Sequence, residues 1–145
     1  MIAVDTNILV YTHRRDAEFH AVAADHIKRL AEGKSAWAVP WPCLHEFFAI
    51  TTHPKIYDPP STRSQALTQM DAWLGSPALT MLGEPAGYWD HLKHVLVSGR
   101  IAGSMVHDAR IAALCLAHGV RELWSADRDF GRFSSVLSIR NPLID

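Results

Sequence analysis

Ile2-Ala3-Val4-Asp5-Thr6-Asn7 is a short, partly β-branched apolar run that stops on an acid. A buried strand reads this way, and the acid then stands at the strand's carboxyl end, in a polar loop. The form returns at Leu123-Trp124-Ser125, which is followed by Ala126-Asp127-Arg128-Asp129-Phe130. Further strands are predicted at Ala36-Trp37-Ala38-Val39, at Leu79-Thr80-Met81-Leu82 and from Val136 to Ile139.

Between these runs the apolar residues fall at helical spacing. Phe19, Val22, Ala23, Ile27 and Leu30 mark one helix, stopped at Gly33. A second starts near Pro42, which suits a first turn, and runs to about Thr52 before His53-Pro54. Ser61 caps a third, which carries Ala66, Leu67, Met70, Trp73 and Leu74 and stops at Gly75. Two more follow, from about Ala86 to Ser98 and from about Ser104 to Ala117, the latter closed by Gly119. Strands alternating with helices predict an α/β sandwich, in which helices flank a mainly parallel central sheet. No repeat, low-complexity tract or linker divides the chain, so residues 1–145 are expected to form a single domain.

Composition sets limits on function. With 145 residues and 48% hydrophobic content, the chain can bury a core without disulfides. Cys43 and Cys115 lie in apolar helical contexts without CxxC spacing, as reduced core thiols do, which favours the cytosol. No apolar run approaches membrane-spanning length, and Asp5 and Asn7 interrupt the first one too early for a signal peptide, so a soluble, unprocessed cytoplasmic protein is expected. The formal charge of −1 does not advertise nucleic-acid binding, although neutralising several acids with metal would leave a slightly basic surface. Arg14-Arg15 and Lys28-Arg29 are then either phosphate contacts or ordinary solvated charges.

Four acids stand where hydrophobic structure should be. Asp5 and Asp127 follow strands, and open parallel sheets keep their ligand sites beyond the strands' carboxyl ends, so both belong to one edge. Glu46 has Cys43, Ala49 and Ile50 as its helical neighbours, and Asp108 has Met105, Ile111 and Ala112. Singly, each has a bland reading: a turn residue at Asp5, an Asx turn at Asp127 and Asp129, an ion pair to Arg110 or Arg63 for the helical acids. As a set they repel one another and each costs several kcal/mol to bury, so they call for a cation. The nine histidines show no H-E-x-x-H arrangement, which argues against a zinc hydrolase. An all-carboxylate site suits Mg²⁺ or Mn²⁺, ions that also bind substrate phosphates. Phosphate-binding glycine loops and the serine-hydrolase elbow are missing from the sequence.

Taken together, Val4-Asp5-Thr6-Asn7, the helical Glu46, Asp108-Ala109 with Ile111-Ala112-Ala113-Leu114, and Ser125-Ala126-Asp127-Arg128-Asp129-Phe130 resemble PIN-domain ribonucleases. More narrowly they resemble the VapC toxins of type II toxin-antitoxin systems, as does the tail Arg140-Asn141-Pro142-Leu143. The order and spacing of the motifs cover nearly the whole chain.

The resemblance implies a PIN-like three-layer fold and a Mg²⁺-dependent endoribonuclease. Asp5 and Asp108 match positions that hold the metal directly, while Glu46 and Asp127 complete the acidic quartet. Asp129 is a fifth acid of open role. Thr6 matches a hydroxyl position that supports the first acid, and Asn7 orders the same loop. One or two metal ions would offset the repulsion among the acids, with Glu46 or Asp127 positioning or deprotonating the attacking water. The implied products are a 5′-phosphate and a 3′-hydroxyl. The implied partners are RNA, a VapB-type antitoxin covering the cleft and a second copy of the chain in a homodimer, with no membrane.

Three alternatives stand beside this reading. The first is a non-toxin PIN nuclease of RNA processing. The second is a metal-dependent phosphatase, for which Asn7 stands where a second acid is wanted. The third is a non-catalytic RNA-binding module, which would normally lack one of the acids.

Overall fold

The computed structural model describes residues 1–144, and position 145 lies outside them. Five strands, β1 (Ile2–Val4), β2 (Trp37–Pro40), β3 (Leu79–Leu82), β4 (Glu122–Trp124) and β5 (Ser138–Arg140), form one sheet in the order β3-β2-β1-β4-β5. Every pairing in it is parallel. The connections carry α1 (Thr6–His13), α2 (His20–Glu32), α3 (Trp41–Thr51), α4 (Arg63–Leu74), α5 (Tyr88–Ser98) and α6 (Val106–Ala117). Short 3₁₀ turns lie at Gly103–Met105 and Arg128–Phe133.

Burial along β2 shows that the sheet is covered on both faces. Trp37, Ala38, Val39 and Pro40 are all buried, and successive strand residues point to opposite faces. The covering helices fall into two sets, one in which α2 and α3 pack on α1 and α4 packs on α3, and one in which α5 packs on α6. The sheet is therefore the middle layer of three, with its carboxyl edge left for a site.

Three local expectations are revised. Asp5 leads into α1 and not into a loop. The segment Thr6–His13 is rich in β-branched residues of low helix propensity, but the Asp5 side chain caps it and burial of Ile8, Leu9 and Val10 holds it in place. The cap of α4 is Thr62 and not Ser61. Thr62 and Gln65 form a reciprocal capping box, while the Ser61 hydroxyl lies 2.9 Å from His13 Nε2. The last strand begins at Ser138, because the amides of Val136 and Leu137 close on the carbonyl of Phe133 and extend the preceding turn. Gly119, with φ +71°, ends α6 as expected, and the Val120 amide donates to the Cys115 carbonyl at 2.9 Å.

The helical layer of α1, α3 and α4 is anchored by Phe47. Its ring is fully buried, with Trp73 edge-on at 4.8 Å and His13 edge-on at 5.2 Å between ring centres. Phe47→Ala is expected to lower unfolding stability by about 3–5 kcal/mol. Urea unfolding monitored by circular dichroism measures this, and a loss below about 1 kcal/mol would mean that the layer does not depend on the ring.

Candidate metal centre

The acids gather at the carboxyl edge. Asp5 ends β1 and Asp127 follows β4, the neighbouring strand, in register with Val4 opposite Trp124. The α3 helix, which begins where β2 ends, brings Glu46, and α6 brings Asp108 in its first turn. Carboxylate oxygens of Asp108, Asp127 and Asp129 lie within 4.8 Å of one another.

Asp5 is the most buried of the five, at 4% exposure. Its Oδ1 accepts from the Thr6 amide at 2.8 Å and faces the Cys43 thiol at 3.5 Å. Its Oδ2 accepts from the Ser125 hydroxyl at 2.7 Å and, at 3.5 Å, from the Asn7 amide group. Burial nevertheless outweighs these donors, and with the charge of Glu46 it pushes the Asp5 carboxyl up to about 6.

Asn7 and Ser125 tie the two strand ends together. Asn7 Oδ1 accepts from the Ala126 amide at 3.1 Å, and Ser125 Oγ accepts from the Asp127 amide at 3.0 Å. Asp127 Oδ1 in turn accepts from the Asp129 amide at 2.9 Å, so the Asx turn is present and it also brings the two acids together. The resemblance implied that the Thr6 hydroxyl supports the first acid. In the structure the backbone amide of Thr6 does so, and its hydroxyl donates to Glu46 Oε2 at 2.8 Å.

Glu46 is exposed, in contrast to the inward face that its neighbours Cys43, Ala49 and Ile50 suggested. Asp108 is partly buried, and its carboxyl is raised first by burial and then by the charges of Asp127, Glu46 and Asp129. The charge of His107 opposes this rise, and no arginine or lysine among the described residues forms an ion pair with these acids. The ion pairs among the described residues are Arg14–Asp16, Arg29–Asp25 and Arg140–Glu122, so neither Arg110 nor Arg63 neutralises the helical acids. Hard carboxylate oxygens at this spacing, without a protein cation, are the donor set that a small divalent ion takes.

Ser125 is the residue whose role the sequence reading left unassigned. Its neighbours in the chain are apolar or acidic, and only the β1–β4 pairing shows that its hydroxyl meets Asp5, 120 residues away. A larger cleft of about 890 Å³ lies at the far end of α1, lined by His13, Arg14, Arg15, Ser61 and Gln65 among others. Asp5 caps the opposite end of that helix, so this cleft is separate from the acids.

Comparison with known proteins agrees with this geometry. A family model for the PIN domain matches residues 2–136. Ribonuclease VapC43 of Mycobacterium tuberculosis is 32% identical over 143 residues, which span 99% of this chain and 96% of that protein. Ribonuclease VapC48 of the same organism is 29% identical over 138 residues, 95% of this chain and 94% of the relative. Among solved structures, VapBC2 from Rickettsia felis, bound to a DNA fragment from its promoter, superposes with a TM-score of 0.69 at 20% identity, covering 97% of this chain and 98% of the other. VapC20 of Mycobacterium tuberculosis, a toxin that cleaves the sarcin-ricin loop, gives 0.66 at 17% identity over 90% and 93%. The two structures share the fold, and the family model and the curated relatives carry the kinship: this chain belongs to the PIN-domain family, among the VapC ribonucleases.

Proposed function

We propose that the protein is a Mg²⁺-dependent endoribonuclease and the toxin of a type II toxin-antitoxin pair, working as a single domain. The observation that carries the catalytic part is the convergence of Asp108, Asp127 and Asp129 beside Asp5 and Glu46, which no arginine or lysine joins in an ion pair among the described residues. Asp5 and Asp108 are the direct ligands in this reading, with Asp127 and Asp129 within reach of the same ion. The contacts of Cys43 and Asn7 to Asp5, both at 3.5 Å, are the weak ones that an ion would displace. A bound Mg²⁺ or Mn²⁺ supplies neutralisation of the scissile phosphate and acidifies the attacking water.

The chain's own groups do the rest. Glu46, exposed and steered by the Thr6 hydroxyl, takes the proton from the water. The water oxygen forms the new bond to phosphorus and the bond to the 3′ oxygen breaks, leaving a 5′-phosphate and, after protonation from solvent, a 3′-hydroxyl. Ser125 and Asn7 hold Asp5 and the loop after β4 in fixed relation, so the acids need little reorganisation.

Kinship with VapC ribonucleases supports a VapB-type antitoxin as partner, since the Rickettsia felis neighbour is a VapBC complex. An antitoxin basic side chain would answer the same carboxylates that take the metal. A homodimer is the second expected assembly, and exposed Leu67 and Leu74 lie two turns apart on α4 as candidates for its surface. No helix among the described residues is long and apolar enough to cross a membrane. The free, buried thiols of Cys43 and Cys115 fit a reducing cytoplasm.

The test is incubation with total RNA, with sequencing of the new ends. Cleavage is expected with Mg²⁺ or Mn²⁺, is expected to stop in EDTA, and is expected to return on adding back the ion. Cleavage that persists in EDTA, or hydrolysis of a small phosphomonoester with RNA left intact, would refute the ribonuclease reading.

A further inference from the structure

A cavity of about 260 Å³ opens between the start of α3, the loop after β3 and α6, lined by Trp41, His45, Gly83, Glu84, Arg110 and Leu114 among others. It lies on the same sheet edge as the acids. Trp41 follows β2 directly and Gly83 follows β3, whose last residue pairs with Pro40. β2 is the neighbour of β1, which ends just before Asp5, so at about 4.8 Å per strand the cavity sits one to two strand spacings, roughly 5–10 Å, along the edge. That is the reach of a nucleotide next to the scissile phosphate. His45 also precedes Glu46 on α3, and Arg110 follows Asp108 by two residues on α6.

The lining is not that of a packing defect. A dry gap in a core is bounded by aliphatic groups, whereas Glu84 and Arg110, both charged, are part of the lining here. Trp41 is 40% exposed, and the His45 ring lies 6.1 Å from it at a 33° tilt. Gly83 lies beside Trp41, where an added Cβ would make an ordinary contact with the indole Cδ1 at 3.6 Å, and the His118 ring holds the Gly83 carbonyl at 2.7 Å. Two buried polar atoms here lack a partner: Arg110 Nε and the Tyr88 hydroxyl. Burial raises the Tyr88 pKa, the charge of Glu84 raises it further and that of Arg110 opposes this, which places all three groups together.

The occupant must be planar, must accept from a guanidinium and must donate to a carboxylate. At 260 Å³ the space is smaller than the roughly 300–1,000 Å³ of drug-sized pockets and fits one ring system. Guanine is the base with two adjacent donors, N1–H and the N2 amino group, to meet one carboxylate, and with O6 and N7 to meet an arginine. We propose that this cavity seats one unpaired guanine of the RNA beside the cleavage site, stacked on Trp41, read by Arg110 at its acceptor edge and by Glu84 at its donor edge. Sequence-specific RNA recognition commonly takes this form, an unstacked base laid on an aromatic ring. The assignment rests on the ribonuclease reading for its occupant, and its test separates the two.

Binding is measured first, in EDTA, by fluorescence anisotropy of short single-stranded RNAs that carry one guanine, or inosine or adenine in its place. Wild type is expected to prefer guanine by about tenfold or more, Glu84→Gln to erase that preference, and Trp41→Ala to weaken every oligonucleotide by about tenfold. Glu84 is exposed, so the glutamine variant is expected to fold, and a thermal melt verifies this. With Mg²⁺ added to wild type, the new ends should carry guanine at one fixed position within two nucleotides of the cut. Equal binding of the three oligonucleotides by wild type, or a guanine preference that survives Glu84→Gln, overturns the pocket assignment. Cleavage without base preference sinks the pocket and spares the nuclease. Guanine-selective binding by a protein that leaves RNA intact does the reverse.

Discussion

Asp108→Asn should leave a folded protein that cleaves RNA at least about a thousandfold more slowly than wild type. The side chain keeps its shape and loses only its charge. Asp108 is half-buried, and the charges of Asp127, Glu46 and Asp129 all press against its ionised form with only His107 opposing them, so the apo protein loses more repulsion than support. The functional loss has two sources. One ligand of a hard cation becomes a neutral amide oxygen, which weakens the ion, and the remaining acids are no longer held at the balance that a single ion satisfies. The measurement pairs single-turnover cleavage of a defined RNA with thermal melting in EDTA and in Mg²⁺. Wild type is expected to gain stability from Mg²⁺, by mass action, and the variant to gain much less. A variant that cleaves at the wild-type rate would remove Asp108 from the site; one that fails to melt cooperatively would make it a structural residue.

The strand–acid pattern of Val4-Asp5 and Trp124 through Asp127 is visible in the sequence because β-strands announce their ends by chemistry: apolar residues stop where the chain leaves the core. Helices α2 to α6 are visible for a similar reason, through spacing and glycine stops. The helix α1 is not, since Thr6-Asn7-Ile8-Leu9-Val10 has strand-like composition and its helicity comes from the Asp5 cap and from burial. Periodicity placed Glu46 on the face of Cys43 and Ile50, but it carries no information about what lies above that face, and in this fold Glu46 is exposed there. Contacts across the sheet are harder still. Ser125 meets Asp5, and Trp41 meets Gly83, only because the strand order β3-β2-β1-β4 sets them side by side. Helical and strand periods describe neighbours along one element and are silent about these.

The strand order also explains why the proposed metal site and the proposed base pocket share an edge. Every strand points its carboxyl end the same way, so the segments after β1, β2, β3 and β4 line one rim in the order of the sheet. The acids take the middle of that rim, and Trp41 with Glu84 takes the β2–β3 side. An RNA strand laid along the rim would then meet phosphate chemistry and base chemistry in sequence, without any long loop to carry the recognition.

The second large effect is expected at Asp5, where activity and stability should move in opposite directions. Asp5→Asn is expected to abolish cleavage, as loss of a metal-facing carboxylate, and yet to raise the melting temperature of the metal-free protein at pH 8. The sign follows from burial. The Asp5 carboxyl is pushed up to about 6 from an unfolded value of 3.8, so the folded state holds its proton more tightly than the unfolded state. Its stabilising contribution is fully present below the unfolded value and is lost as pH rises through about 6, which leaves ionised Asp5 costing about 3 kcal/mol at neutral pH. Asparagine removes that titration while its oxygen still accepts from the Thr6 amide and its amide group still meets the Ser125 hydroxyl, which can turn to accept. Melts in EDTA should therefore show the variant more stable by roughly 5 °C or more at pH 8, with the gap closing toward pH 4. Adding Mg²⁺ at pH 8 should recover the difference in wild type alone, because the ion relieves in the native protein what the substitution relieves chemically. A variant that melts below wild type at pH 8, or a gap that does not depend on pH, would show that the hydrogen bonds of Ser125, Thr6 and Asn7 outweigh the cost of burial and that Asp5 is a structural cap first.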